Sequence, residues 1–203
     1  MQQVLRLGIF VGAIALVIAG VVALSDVVNG GPSVSHAQLS CEDPFEGETV
    51  RFPTRGWQTD FCQHSVPYSE IRSGGVGRDG IPPIDNPEFD SIAEASAWLE
   101  PQSPVIIIEI DGDARAYPLA ILTRHEIVND VVGDTPVAVT FCPLCNSAVV
   151  FERVVEGEVL RFGVSGNLRN SDLIMWDNIT ESWWQQLTGT AIVGELTGTE
   201  LVI

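Results

Sequence analysis

Between Val137 and Gly166 the sequence reads VAVTFCPLCNSAVVFERVVEGEVLRFGVSG. β-Branched and aromatic residues dominate it, and such residues suit a pleated, half-buried surface better than a helix. Val137 to Phe141 is a strand that runs straight into Cys142-Pro143-Leu144-Cys145. Ser147 to Gly166 reads as a hairpin that turns at Glu156-Gly157. The centre of the chain is thus antiparallel β, and two cysteines three apart stand where one apolar run ends and the next begins.

The flanking segments extend this pattern. VIIIEI (Val105 to Ile110), too apolar for an edge strand, is followed by the turn DGD and by ARAYP, which together predict a hairpin. DLIMWDN and AIVGEL supply further strands. Ser91 is placed to cap a short helix, SIAEASAWLE, with Glu94 as its capping-box partner and Pro101 and Pro104 as its stop. Residues 38–79 are rich in Gly, Pro, Ser and Thr without a sustained period, and read as a loop-rich lead-in with at most short strands. The expected fold class is α+β, mostly antiparallel β with short helices, in a β-rich domain over residues 80–203. TGTELVI ends in a strand pattern without a closing turn, so we expect the domain to be truncated at its C-terminus.

Leu7 to Leu24 carries no charge and Arg6 supplies a positive flank, the pattern of an N-terminal hydrophobic targeting helix. Residues 1–37 are read as a signal peptide, cut after the small residues Ser35 and Ala37, or as a membrane anchor that stays. Either way the protein is expected to be extracytoplasmic: secreted, periplasmic or membrane-anchored, with membrane contact through this segment if it is uncleaved. Removing it deletes Arg6 and Asp26, one charge of each sign, so the formal charge of −17 stands. All basic residues are arginines. So acidic a surface is repelled by phosphate backbones, which argues against nucleic-acid binding. Nothing in the sequence names a protein partner.

An exported chain with four cysteines, Cys41, Cys62, Cys142 and Cys145, suggests pairing. Spacing favours a Cys41–Cys62 staple in the lead-in. Cys142 and Cys145 are then left to each other or to a metal. A thioredoxin-type redox centre requires a helix after the first cysteine to lower its pKa, and strand formers follow here instead. A closed zinc site takes four Cys or His ligands, and a single CxxC gives two. His125 and Met175 complete the sharpest constellation: Cys142, Cys145, His125 and Met175 would suit copper or zinc. The same cysteines could instead form a redox couple. Two other classes compete: a thiol-nucleophile enzyme with His125 as base and Asn129 or Asp130 as its orienter, and a structural or ligand-binding envelope domain with the CxxC as a disulfide. The segment from Ser171 to Gln186, with Trp176, Trp183 and Trp184, reads either as a ligand pocket or as half-buried strands.

The strings DGIPPIDNPEF, ARAYPLAIL, HEIVND, VAVTFCPLCNSAVVF, FGVSGNLRNSDLIMWD and ESWWQQLTGTAIVGEL occur in that order. From about Ser73 to Leu201 the chain resembles the domain of unknown function 3179 family, whose members look exported or membrane-tethered. The family carries no assigned activity, so the resemblance implies a shared site around His125 and the two cysteines without naming a ligand. Carried over onto this sequence, the pattern covers His125, Glu126, Asn129, Asp130, Cys142, Pro143, Cys145, Ser165, Asn170, Ser171, Met175, Asp177, Thr180, Ser182, Trp183 and Gln186. Of these, Glu126, Asn129, Asp130, Asn170, Ser171, Asp177, Ser182, Trp183 and Gln186 are candidates to line the site. Two positions depart from the family: Arg169 stands where it has Tyr before Asn-Ser, and Asn178 where it has Arg after Asp. Members also continue past the GEL-like segment, in line with the expected truncation.

Overall fold

The computed structural model describes residues 41–203, and the targeting segment over 1–37 lies outside the described residues. In chain order the elements are β1 (Ile71–Ser73), α1 (Ile92–Ala95), β2 (Val105–Ile110), β3 (Asp113–Pro118), α2 (Leu119–His125), β4 (Ile127–Val132) and β5 (Thr135–Cys142). They continue as β6 (Ser147–Glu152), β7 (Val154–Val155), β8 (Glu158–Val159), β9 (Phe162–Arg169), β10 (Asp172–Asp177), β11 (Trp183–Gln185) and β12 (Thr190–Val193). The protein is mostly antiparallel β with few, short helices. No helix among the described residues is long and apolar enough to cross a membrane.

Two sheets carry the architecture: a five-stranded one ordered β1-β9-β10-β11-β12 and a three-stranded one ordered β4-β5-β6. They pack face to face. Ile127, Ala138, Cys142 and Phe151 of the smaller sheet share one buried cluster with Phe162, Val164, Leu173, Met175 and Trp184 of the larger. The outer faces are covered as well. Ile174, Trp176 and Trp183, with Ile71 of β1, face out on the far side of the large sheet and pack against Phe52, Val66 and Tyr68. Val128, Val137, Val139 and Phe141 on the far side of the small sheet pack with Tyr117 and Leu122, from β3 and α2.

Double coverage explains the composition of the central strands. In β10, Leu173 and Met175 point to one cluster while Ile174 and Trp176 point to the other, so the strand is apolar on both faces. The Trp-rich stretch is therefore core rather than pocket: Trp183 and Trp184 are fully buried on opposite faces of β11. The lead-in consists largely of loops, yet its aromatic residues close one face of the large sheet, and the Cys41–Cys62 disulfide ties its start. Ser40–Ile203 forms one compact unit.

Three local expectations need correction. β2 pairs with β3 alone, so VIIIEI does form a ribbon edge. Ile106, Ile108 and Ile110 pack inward on the smaller sheet, and Ile107 is left 70% exposed. The turn at Glu156-Gly157 is present, with φ of 53° and 87°, but it joins only β7 and β8, while β6 and β9 belong to different sheets. The chain crosses between the sheets beside Arg153, whose buried guanidinium donates to the carbonyls of Val137, Leu160 and Asp130. The Arg153 backbone stays paired as well, with its N–H on the Pro136 carbonyl at 2.9 Å and its carbonyl on the Leu160 N–H at 2.8 Å. Lastly, α1 covers only Ile92–Ala95, although the Ser91/Glu94 capping box forms as expected.

Candidate metal or thiol centre on a hairpin

Cys142 is the last residue of β5 and pairs with Ser147, the first of β6, so Pro143 to Asn146 form the connecting loop. Asn146 takes a left-handed conformation, φ 52°, to close it. Because side chains alternate along β5, Cys142 shares the inner face with Ala138 and is 1% exposed. Cys145 lies outside the ladder and is exposed. Both are free thiols.

The other half of the site comes from the large sheet. Asn170 and Ser171, with φ of 53° and 67°, form a two-residue turn between β9 and β10. Asn favours this backbone; Ser171 adopts it under strain, in a turn that fixes where the next carboxylate points. Asp172 Oδ1 lies 3.4 Å from Cys145 Sγ, and Asp172 Oδ2 accepts from the Leu187 backbone N–H at 3.0 Å. The donor atoms of Cys142, Cys145 and Asp172 all lie within 4.8 Å of one another.

Hydrogen bonds around the thiols have a direction. Thr140 Oγ1 donates to the Val149 carbonyl at 2.7 Å and accepts from Gln186 Nε2 at 2.8 Å. Gln186 Oε1 accepts from Ser147 Oγ at 2.6 Å. The Ser147 proton is thereby committed, so at 3.0 Å from Cys145 Sγ this hydroxyl accepts from the thiol. Cys142 Sγ donates toward the Ser171 carbonyl at 3.6 Å. Burial, and then the hydrogen bond to Cys145, push the Cys142 thiol up to about 12, while the backbone N–H groups of Cys145 and Leu173 oppose that rise.

His125 is not in this group. It ends α2, and its Nδ1 donates to the Pro82 carbonyl at 2.7 Å. Its neighbour Glu126 has φ 60° and accepts from the Phe141 N–H through its carbonyl at 2.8 Å, beside the strand end that carries Cys142. Desolvation raises the Glu126 carboxyl to about 7. Met175 is fully buried in the cluster that also holds Cys142.

Several other candidates serve the frame. Asn129 clips the sheets together, donating to the Phe162 carbonyl at 2.8 Å and accepting its N–H at 2.9 Å, and it also donates to Asp85. Asp130 accepts from Arg115 at 2.6 Å and from Tyr117 at 2.7 Å. Among the described residues no hydrogen bond joins His125 to Asn129, Asp130 or either cysteine; its Nδ1 bonds the Pro82 carbonyl instead. Asp177 accepts from Thr180 and Trp184, and Ser182 accepts from Leu196 N. Arg169 pairs with Glu70 at 2.6 Å and donates to Gln185, and Asn178 accepts from Arg161 N. Each departure from the family pattern thus has a structural partner.

Of the residues singled out in the sequence, Cys142, Cys145, Ser171 and Gln186 meet here. Asp172, Ser147 and Thr140 did not stand out. The available signal for Asp172 was a charged residue opening an otherwise apolar strand straight after an Asn-Ser turn.

Stacked antiparallel sheets with a two-thiol, one-carboxylate cluster between a hairpin loop and the facing sheet define a small β-rich class of site. The chain belongs to the family described as protein of unknown function (DUF3179), which matches residues 78–203. No curated protein and no solved structure gives a significant match.

Proposed function

We propose that the domain binds one borderline divalent metal ion through Cys142, Cys145 and Asp172, with zinc the best fit. One observation carries the reading: three ligand-type atoms from two sheets lie within 4.8 Å, and the carboxylate is held by a backbone N–H. Two sulfurs and one oxygen make a donor set that zinc accepts, and three protein ligands leave a fourth tetrahedral position for water or a substrate atom. Copper(I) prefers softer partners, so a carboxylate in place of His125 or Met175 weighs against it. The N–H groups aimed at Cys142 Sγ support a thiolate there once a cation offsets the cost of its burial.

The domain acts outside the cytoplasm in this reading. The uncharged run Leu7 to Leu24 and the Cys41–Cys62 disulfide support that placement. A net charge of −17 supports the absence of nucleic-acid partners.

The test is a zinc titration of reduced, metal-free protein against a chromophoric chelator, repeated with copper(I). We expect one zinc per chain, lost in Cys142→Ser/Cys145→Ser and weakened in Asp172→Asn. Folded protein that leaves all the zinc with a chelator of micromolar affinity would refute the reading.

A further inference from the structure

We propose that the metal-free hairpin also performs thiol–disulfide exchange, with Cys145 attacking a substrate disulfide and Cys142 resolving the mixed disulfide. The order follows from the hairpin. In a CxxC that opens a helix, the helix N-terminus activates the first cysteine. Here the first cysteine closes a doubly covered strand and faces the core, while the second lies on the open side of the loop. Only Cys145 can meet an incoming disulfide. Leu144, 67% exposed, and Leu187, 53% exposed, are next to Cys145 and to the N–H that holds Asp172, and offer apolar contact to a substrate.

The steps balance. The Cys145 thiolate attacks one sulfur of the substrate disulfide; that S–S bond breaks, and the leaving thiolate takes up the proton Cys145 gave up. A mixed disulfide remains on Cys145. Cys142 must then lose its own proton, and the Ser171 carbonyl facing it is no base. Asp172 is the carboxylate in reach, within 4.8 Å of both sulfurs. It takes the proton, Cys142 attacks Cys145 Sγ, and the second substrate thiolate leaves and is protonated in turn. The dithiol has lost two electrons and two protons, and the substrate disulfide has become two thiols. Asp172 thus serves the second step, and its Oδ1, 3.4 Å from Cys145 Sγ, also stands beside the thiol that opens the first.

The inference does not rest on metal binding, and the two separate cleanly. The full chain, stripped of metal by a chelator with Cys142 and Cys145 reduced, is mixed with oxidised glutathione and followed by peptide mass mapping. We expect Cys142→Ser to accumulate one glutathione on Cys145, and Cys145→Ser to react at least ten-fold more slowly. Wild type should end with a Cys142–Cys145 bond and two glutathione thiols released. Once its Cys145 adduct has formed, Asp172→Asn should resolve it about ten-fold more slowly than wild type. Equal labelling of the two single variants, or a wild-type adduct that never resolves, would overturn the proposal. Should the serine variants misfold by circular dichroism, Cys142→Ala and Cys145→Ala answer the same question. Protein that binds zinc yet fails this exchange overturns this inference alone, and protein that exchanges without binding zinc overturns the metal reading alone.

Discussion

Asp172 Oδ1 lies 3.4 Å from Cys145 Sγ although 27 residues separate them. The contact joins the turn before β10 to the loop after β5, so it depends on the packing of one sheet on the other. Asp172→Asn removes a charged ligand and should weaken zinc binding by more than about ten-fold. Gln186→Leu leaves all three donors in place but frees Ser147, and should cost about ten-fold, as loss of an outer partner commonly does. Competition titrations rank the two: a Gln186→Leu protein weaker than Asp172→Asn would mean that the hydroxyl and amide chain, not the carboxylate, organises the site.

Glu126 makes stability depend on pH. Its carboxyl is raised to about 7 by burial, above its unfolded value. Between the two values the folded state holds a proton that the unfolded state has released, so stability falls as pH rises through that window and levels off above about 7. Allowing for partial exposure, the drop is of order 1–2 kcal/mol. Urea unfolding at pH 5 and pH 8 should show that difference shrink in Glu126→Gln relative to wild type; an unchanged difference would assign the effect to other groups.

Gly166 sits where β9 and β10 lose register between Leu173 and Met175, with φ 80°. A Cβ there would run into the Val76 and Gly77 carbonyls, which are backbone and cannot step aside. Gly166→Ala therefore combines a strained φ with a clash, and should destabilise by at least ~2 kcal/mol. Its urea midpoint should fall well below that of Gly157→Ala, because Gly157 has a comparable φ but open space around it.

The Cys41–Cys62 bond closes a loop with a sequence separation of 21, which in the chain-entropy picture stabilises by about 3 kcal/mol. Its loss should loosen Phe45, Phe52, Trp57 and Phe61 from the sheet they cover. Cys41→Ser/Cys62→Ser should unfold at lower urea while retaining zinc affinity, since the metal-site residues lie in other elements. A parallel loss of affinity would show that the lead-in supports the site.

Much of the frame was legible because it is local. The run of β-branched residues into Cys142, the capping box at Ser91 and Glu94, and the turn at Glu156-Gly157 each depend on neighbours within a few positions. The lead-in hid its role because Phe52, Trp57 and Phe61 pack from loops, which impose no period. α2 and the inward clip made by Asn129 were equally invisible, since HEIVND looks like a motif for chemistry when much of it fastens two sheets together. The site was half legible. CxxC spacing marks two ligands, but the third lies on the facing sheet, where no spacing rule reaches, and His125, near enough in sequence to suggest itself, is held by Pro82.

The cysteines descend from one sheet and Asp172 and Gln186 from the other, so whatever spans sulfur and carboxylate becomes a rivet through the sandwich. Loading would then register mechanically as well as chemically. With the rivet in place the layers are tied at the loop as well as through their shared core; with the cysteines joined to each other instead, that extra tie is gone while the core and the Asn129 clip still hold the sheets together.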